Sequence, residues 1–150
     1  MFKTILLPTD GSPLADKAAK TALEFAQMTG GKIIALSVAQ PQPLPAMIGG
    51  GMMDGGVSVE PVLYQQEVQQ AAQAHVDLIA AAARAADIPF ESVVALSASP
   101  YDEIIKTAEQ YHCDLILMAT HGRTGLDKWL MGSETDKVLS HTTLPVLVLR

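Results

Sequence analysis

The feature that most constrains this chain is an alternation: five short, largely apolar runs, each separated from the next by a stretch long enough to cross over a sheet. The runs 2–8 (FKTILLP), 32–39 (KIIALSVA), 90–96 (FESVVAL), 114–119 (DLILMA) and 145–149 (PVLVL) read as strands. Most lack the polar alternation of a strand with one wet face, so the expected pairing is parallel and buried on both sides. The intervening segments carry helix signals. Ser12 and Pro13 supply a cap and a pre-organised first residue, and Leu14, Ala18, Ala22, Phe25 and Ala26 keep a helical stripe until Gly30 and Gly31, predicting a helix over 13–29. A long helix is expected over 62–86, ended by Asp87 and Pro89. Ser99 and Pro100 repeat the start signal for a helix over 101–111, and Ser133 can cap one running to about His141.

The resulting order is βαβαβαβαβ. Right-handed crossovers then predict a single doubly wound α/β domain over 1–150, with a five-stranded parallel sheet in the order 3-2-1-4-5 and helices on both faces. At 150 residues and 49% hydrophobic content the chain has material for one sizeable core. One stretch fits no element: 40–61 is Pro-rich and then Gly-rich, and it leaves the second strand where ligands bind in such sheets. A surface insertion explains it, and so does a lid or docking loop with Met47, Met52 and Met53 as adaptable contacts.

Charge and composition exclude several functions. A net charge of −6 with scattered Lys and Arg opposes binding to nucleic acid, which needs clustered cations to displace counterions. The largest basic group, Arg123 with Lys128, suits a small anion. No apolar run reaches membrane-spanning length, because the Ala-rich stretch 71–86 carries His75, Asp77 and Arg84. The opening residues offer no signal-peptide apolar region, so a cytoplasmic location is expected. The single Cys113 cannot form an intramolecular disulfide and reads as a core hydrophobe.

In a sheet of this kind, ligands bind outside the carboxyl ends of strands where the winding reverses. Two loops qualify: Pro8 to Ser12 after the first strand, and Ala119 to Ser133 after the fourth. The second reads ATHGRTGLDKWLMGS, with Gly122, Gly125 and Gly132 around Arg123 and Lys128, delivering the chain to a helix start. Glycine lets backbone amides approach anionic oxygens, and a helix N-terminus adds unpaired donors and a positive dipole end. Turn-making and capping alone also explain these residues. The motif GxxxxGK[ST] is absent, and the glycines from Gly49 to Gly56 do not read GxGxxG. The histidines show no metal-ligand spacing, and His75, His112 and His141 are expected on exposed helix faces. Asp10, Ser12 and His121 have no nucleophile-elbow context, and Ser12 is foremost a helix cap.

Gly122, nine residues, then Gly132 and Ser133, placed after an apolar strand and before PVLVLR, resembles the ATP-binding loop of the universal stress protein family. The family pattern has glycine where this chain has Ala119, a departure of one methyl group. The resemblance extends along essentially the whole chain, including ILLPTDGSPLADKA and LPVLVLR. It implies that Pro8, Thr9 and Asp10 border adenine and ribose, that Val38 packs on adenine, and that Met118, Ala119, His121, Gly122 and Arg123 line ribose and phosphates. Gly132, Ser133, Glu134 and Thr135 would hold the phosphate tail. Mg²⁺ would arrive with the ATP phosphates.

The expected function is regulatory: ATP occupancy favours one conformation, and a partner reads it. No residue stands out as a base for activating water, so turnover is not expected to be the purpose. An ATP-hydrolysing or adenylyl-transferring enzyme of related architecture and a nucleotide-free structural dimer stand as alternatives. An apolar edge strand at 146–149 predicts a homodimer through strand five. Family resemblance adds cytoplasmic regulators associated with membrane transporters, including the TRAP type, as a class of role.

Overall fold

A computed structural model describes residues 1–41, 61–120 and 131–150. Among them the elements alternate as β1 (Thr4–Pro8), α1 (Pro13–Thr29), β2 (Lys32–Ala39), α2 (Pro61–Ala85), β3 (Phe90–Leu96), α3 (Pro100–Gln110), β4 (Leu115–Ala119), α4 (Met131–His141) and β5 (Val146–Leu149). The strands form one parallel sheet in the order β3-β2-β1-β4-β5, as the alternation predicts. Residues 42–60, most of the segment 40–61 read as an insertion or lid, lie outside the described residues.

The period-two geometry of strands sorts the apolar runs onto two faces. Ile5, Leu7, Ile33, Ala35, Leu115 and Leu117 meet Ala18, Ala22 and Ala26 of α1 and Val76, Ile79 and Ala83 of α2. Leu6, Ile34, Leu36, Ile116 and Met118 meet Ile104 and Ala108 of α3 and Val138 of α4. Alanine along the inner stripe of α1 lets that helix lie close to the sheet while removing apolar area from water. Helix α1 is well closed at both ends. The Ser12 hydroxyl accepts from the Ala15 amide at 3.2 Å, and Gly30 turns left-handed at φ 63° so that the Gly31 amide reaches the Ala26 carbonyl at 2.9 Å.

Several boundaries shift from those expected. β1 starts at Thr4, since Phe2 sits at φ 52°, outside the extended region; β4 and β5 each start one residue later than expected, at Leu115 and Val146. α2 runs one residue earlier at each end than 62–86, and α3 spans Pro100–Gln110 instead of 101–111. Two caps also differ. The Ser99 hydroxyl donates to Asp102 Oδ2 at 2.6 Å and accepts no bond from a first-turn amide. α4 begins at Met131, so Ser133 lies inside the first turn instead of preceding it.

Cys113 is a buried core residue, and burial first, then the charge of Asp114, pushes its thiol up to about 11, so it stays protonated at neutral pH. No described helix is long and apolar enough to cross a membrane. At the amino edge, Asp114 fixes β4 against β1: its carboxylate accepts from the Lys3 amide at 2.7 Å and the Thr4 amide at 3.0 Å, while its own amide donates to the Thr4 carbonyl at 2.9 Å. Replacing Asp114 with Ala strands two backbone donors and is expected to cost about 1–3 kcal/mol. Urea denaturation monitored by circular dichroism checks this; an unchanged midpoint would show that water replaces the carboxylate at no cost.

Candidate functional site

β1 and β2 end side by side, and the chain beyond β1 folds into two nested turns. The Thr9 amide extends the ladder by donating to the Leu36 carbonyl at 2.8 Å. Thr9 Oγ1 accepts from the Gly11 amide at 3.2 Å, and Asp10 Oδ1 accepts from the Ser12 amide at 3.0 Å. Short side chains that bond amides two residues ahead are how Thr and Asp build tight turns. Gly11 takes φ 72°, the left-handed region that favours glycine. The result holds buried Thr9 and exposed Asp10 at the carboxyl tip of the central strand.

A cavity of about 220 Å³ opens over this tip. That exceeds the roughly 150 Å³ of an engineered cavity able to hold benzene, so a fused bicyclic base is a reasonable occupant by size. Pro8, Thr9 and Asp10 contribute one wall, and Leu36, Ser37, Val38, Ala39 and Gln40 of β2 and its end contribute another. Val68, Ala71, Ala72 and His75 of α2 close it from one face of the sheet. Pro100 and Ile104 of α3 and Glu134 of α4 close it from the other. Apolar side chains with a few polar groups at strand tips are the composition expected of a small-molecule site.

Five of the expected residues, Pro8, Thr9, Asp10, Val38 and, from far along the chain, Glu134, therefore share one cavity. Met118 and Ala119 are placed differently from expectation. Both are buried, Met118 among the α3 and α4 contacts and Ala119 among those of α1 and α2, and neither lines the cavity. Burial of β4 on both faces draws the last two side chains of the strand into the cores, and only their backbone stands at the carboxyl edge. Gly132, Ser133 and Thr135 lie in the first turns of α4, with Thr135 buried. His121, Gly122 and Arg123 lie outside the described residues, as does Lys128.

Glu134 is the least ordinary of these groups, a carboxylate on a residue only 6% exposed. Its Oε2 accepts from the Tyr101 amide in the first turn of α3 at 2.8 Å, and its Oε1 accepts from Lys137 Nζ at 2.8 Å. The service that Ser99 does not give α3 thus comes from another helix. The hydrogen bond to Glu134 holds the Lys137 ammonium above the usual lysine range. Lys137 also lies 5.2 Å from the centre of the Tyr101 ring, which packs against His141 at 5.3 Å, so α3 and α4 are tied together beside the cavity.

His75 corrects the expectation of an exposed helix face: its ring lines the cavity and packs over Gly11. A methyl group on Gly11 would collide with that imidazole. Its Nδ1 is buried and makes no hydrogen bond among the described residues. The signal for His75 was present as spacing, since 68, 72, 75 and 79 form one helical stripe with Val68, Ala72 and Ile79. Of the other histidines, His141 ends α4 on its exposed side, whereas His112 follows α3 in a turn at φ 51°.

The sequence profile of the universal stress protein family matches residues 1–150. The chain belongs to the universal stress protein family. A universal stress protein from Thermus aquaticus is 31% identical over 150 residues, spanning all of both chains. Among solved structures, a universal stress protein in complex with cAMP matches with a TM-score of 0.70 at 21% identity, covering 99% of this chain and 97% of that one. The universal stress protein of Archaeoglobus fulgidus in complex with dAMP matches with a TM-score of 0.59 at 20% identity, covering 100% and 98%. These two structural neighbours bind adenine nucleotides, and their likeness to this family member lies in the fold.

The contact between Gly11 and His75 is testable. Gly11→Ala is expected to destabilise the protein by about 1–3 kcal/mol through the left-handed backbone and the collision with the ring. Adding His75→Ala should recover the steric part, giving a coupling of at least about 0.5 kcal/mol in a double-mutant cycle of urea denaturation. Strict additivity would mean that the ring and the turn do not meet.

Proposed function

We propose that this protein binds an adenine nucleotide, ATP with Mg²⁺, in the cavity at the tips of β1 and β2, and that a partner protein reads the occupied state. The observation that carries this reading is the joining of Pro8, Thr9, Asp10 and Val38 in one cavity large enough for a base, at the carboxyl edge of a doubly wound sheet. Two solved relatives of the same fold hold cAMP and dAMP, which share adenine and a phosphate. In this reading the base lies against Val38 and the alanines of α2. Asp10 accepts from a ribose hydroxyl, and the phosphates run toward the first turn of α4 at Gly132, Ser133 and Thr135. The segment containing His121, Gly122 and Arg123 supplies the remaining phosphate contacts.

Among the described residues no three His, Cys, Asp or Glu side chains gather to hold a metal ion. The proposal therefore assigns Mg²⁺ to the nucleotide's own phosphates, where this hard ion retains water ligands. ATP itself supplies the anionic tail and the charge to be recognised. The residues of this chain orient the base, exclude water from its faces and fix the ribose. Binding favours the conformation in which the β1 turn and both helix starts face the ligand, and a partner with differential affinity for that conformation is regulated by it. A cytoplasmic face of a membrane transporter is one partner class consistent with this role.

Calorimetric titration with ATP, ADP and AMP, with and without Mg²⁺, tests the reading. Val38→Trp fills the cavity from β2 and is expected to weaken nucleotide binding at least about tenfold while leaving the fold intact by circular dichroism. Unchanged affinity would move the site elsewhere, and many turnovers in a phosphate-release assay would favour an enzyme.

We further propose a homodimer formed through β5. Among the described residues this strand pairs with β4 alone and stands at the end of the sheet, with Leu147 36% exposed. An apolar strand with one unpaired edge is a template for a second chain. Light scattering coupled to size exclusion at micromolar concentration should give the mass of two chains, and a single-chain mass would reject the interface.

A further inference from the structure

The described cavity lining contains two carboxylates, Asp10 and Glu134, one imidazole, His75, and no Lys or Arg. Glu134 is the buried member of the pair. Its carboxylate is held on the α3 wall by the Tyr101 amide, between Pro100 and Ile104, which themselves line the cavity. Its counter-ion Lys137 stands on the opposite side in chemical terms: that side chain is 48% exposed against 7% for Glu134, and it is absent from the lining. Water therefore screens the cation more than the anion, and among the described residues α4 presents the cavity with the carboxylate and not with its counter-ion. The carboxylate also occupies the electropositive start of α3, which would otherwise attract a phosphate.

We propose that Glu134 is a specificity-determining residue that sorts adenine ligands by charge, favouring nucleoside, monophosphate and Mg²⁺-neutralised forms over metal-free triphosphate. The inference rests on reading this cavity as the nucleotide site. Base and ribose carry hydrogen-bond donors that a fixed carboxylate tolerates or accepts from. Each further phosphate charge approaching α4 meets a like charge in a region of low dielectric, where such juxtaposition opposes binding. A Mg²⁺ ion chelated by the phosphates removes much of that repulsion. Lys137 acts as a partial shield.

The test is calorimetric titration of the full chain with adenosine, AMP, metal-free ATP and Mg²⁺-ATP, in wild type, Glu134→Gln and Lys137→Met. Gln keeps an acceptor for the Tyr101 amide, and Lys137 is half exposed, so both variants should fold; thermal denaturation checks this. Glu134→Gln is expected to raise the affinity for metal-free ATP about tenfold relative to adenosine, with AMP moving less, and the shift should shrink in high salt. Lys137→Met should move the same ratio in the opposite direction. Should Glu134→Gln change all four affinities by one common factor, or none, the residue is a structural tie and the charge filter is wrong, while the nucleotide site stands. A wild-type protein that binds none of the four ligands overturns the nucleotide reading itself, and the filter with it.

Discussion

The burial of β1 on both faces is the constraint from which the rest of the structure follows. Ile5, Leu6 and Leu7 are fully buried, yet they point alternately to opposite sides. One layer of helices could cover only half of that surface. The chain therefore lays α1 and α2 on one face and α3 and α4 on the other, running outward to β3, then back across to β4 and β5. Parallel pairing sends every strand to the same edge, and the reversal leaves room there for a ligand. A cavity roofed by α2 from one side and by α3 and α4 from the other is the geometric residue of covering one strand twice.

That edge is held more firmly than a loop would hold it. The ladder continues past β1 through the Thr9 amide, and Thr9 and Asp10 close their turns with their own side chains. Gly11 then gives up its Cβ, so the imidazole of His75 can rest against the backbone. The long helix α2 is thereby keyed to the first turn of the chain. Among the described residues, the buried Nδ1 of His75 has no hydrogen-bond partner.

The strands and helices were legible in the sequence because continuously apolar runs, proline at helix starts and glycine at helix ends act locally. That Pro8, Thr9, Asp10 and Val38 would come together was legible for the same reason: strand ends in a parallel sheet lie at one edge whatever the details, and these four line one cavity there. For Met118 and Ala119, nearness to a glycine-bearing loop did not tell which way the side chains turn, and both faces of their strand are buried. His75 was obscured by its helix, where alanines on every side blur the inner face. Glu134 was expected at the site for its place in the first turn of its own helix, and what its carboxylate does was not legible. An acidic residue near a helix start reads as a partner for that helix's own dipole, and only the fold reveals that its carboxylate serves the neighbouring helix α3 instead.

That displacement of a cap matters beyond stability. A helix start draws anions, and the fold brings the first turns of α3 and α4 to one cavity, which Pro100, Ile104 and Glu134 line. Filling one with a protein carboxylate removes its appeal to a phosphate and leaves the other as the direction in which an anionic tail can be received. On the proposed reading, the architecture sets where a ligand lies, whereas a single residue in the first turn of α4 alters how much charge it is permitted to bring. Fold and selectivity are written at different scales: the first in the periodicity of whole segments, the second in which helix a lone carboxylate completes.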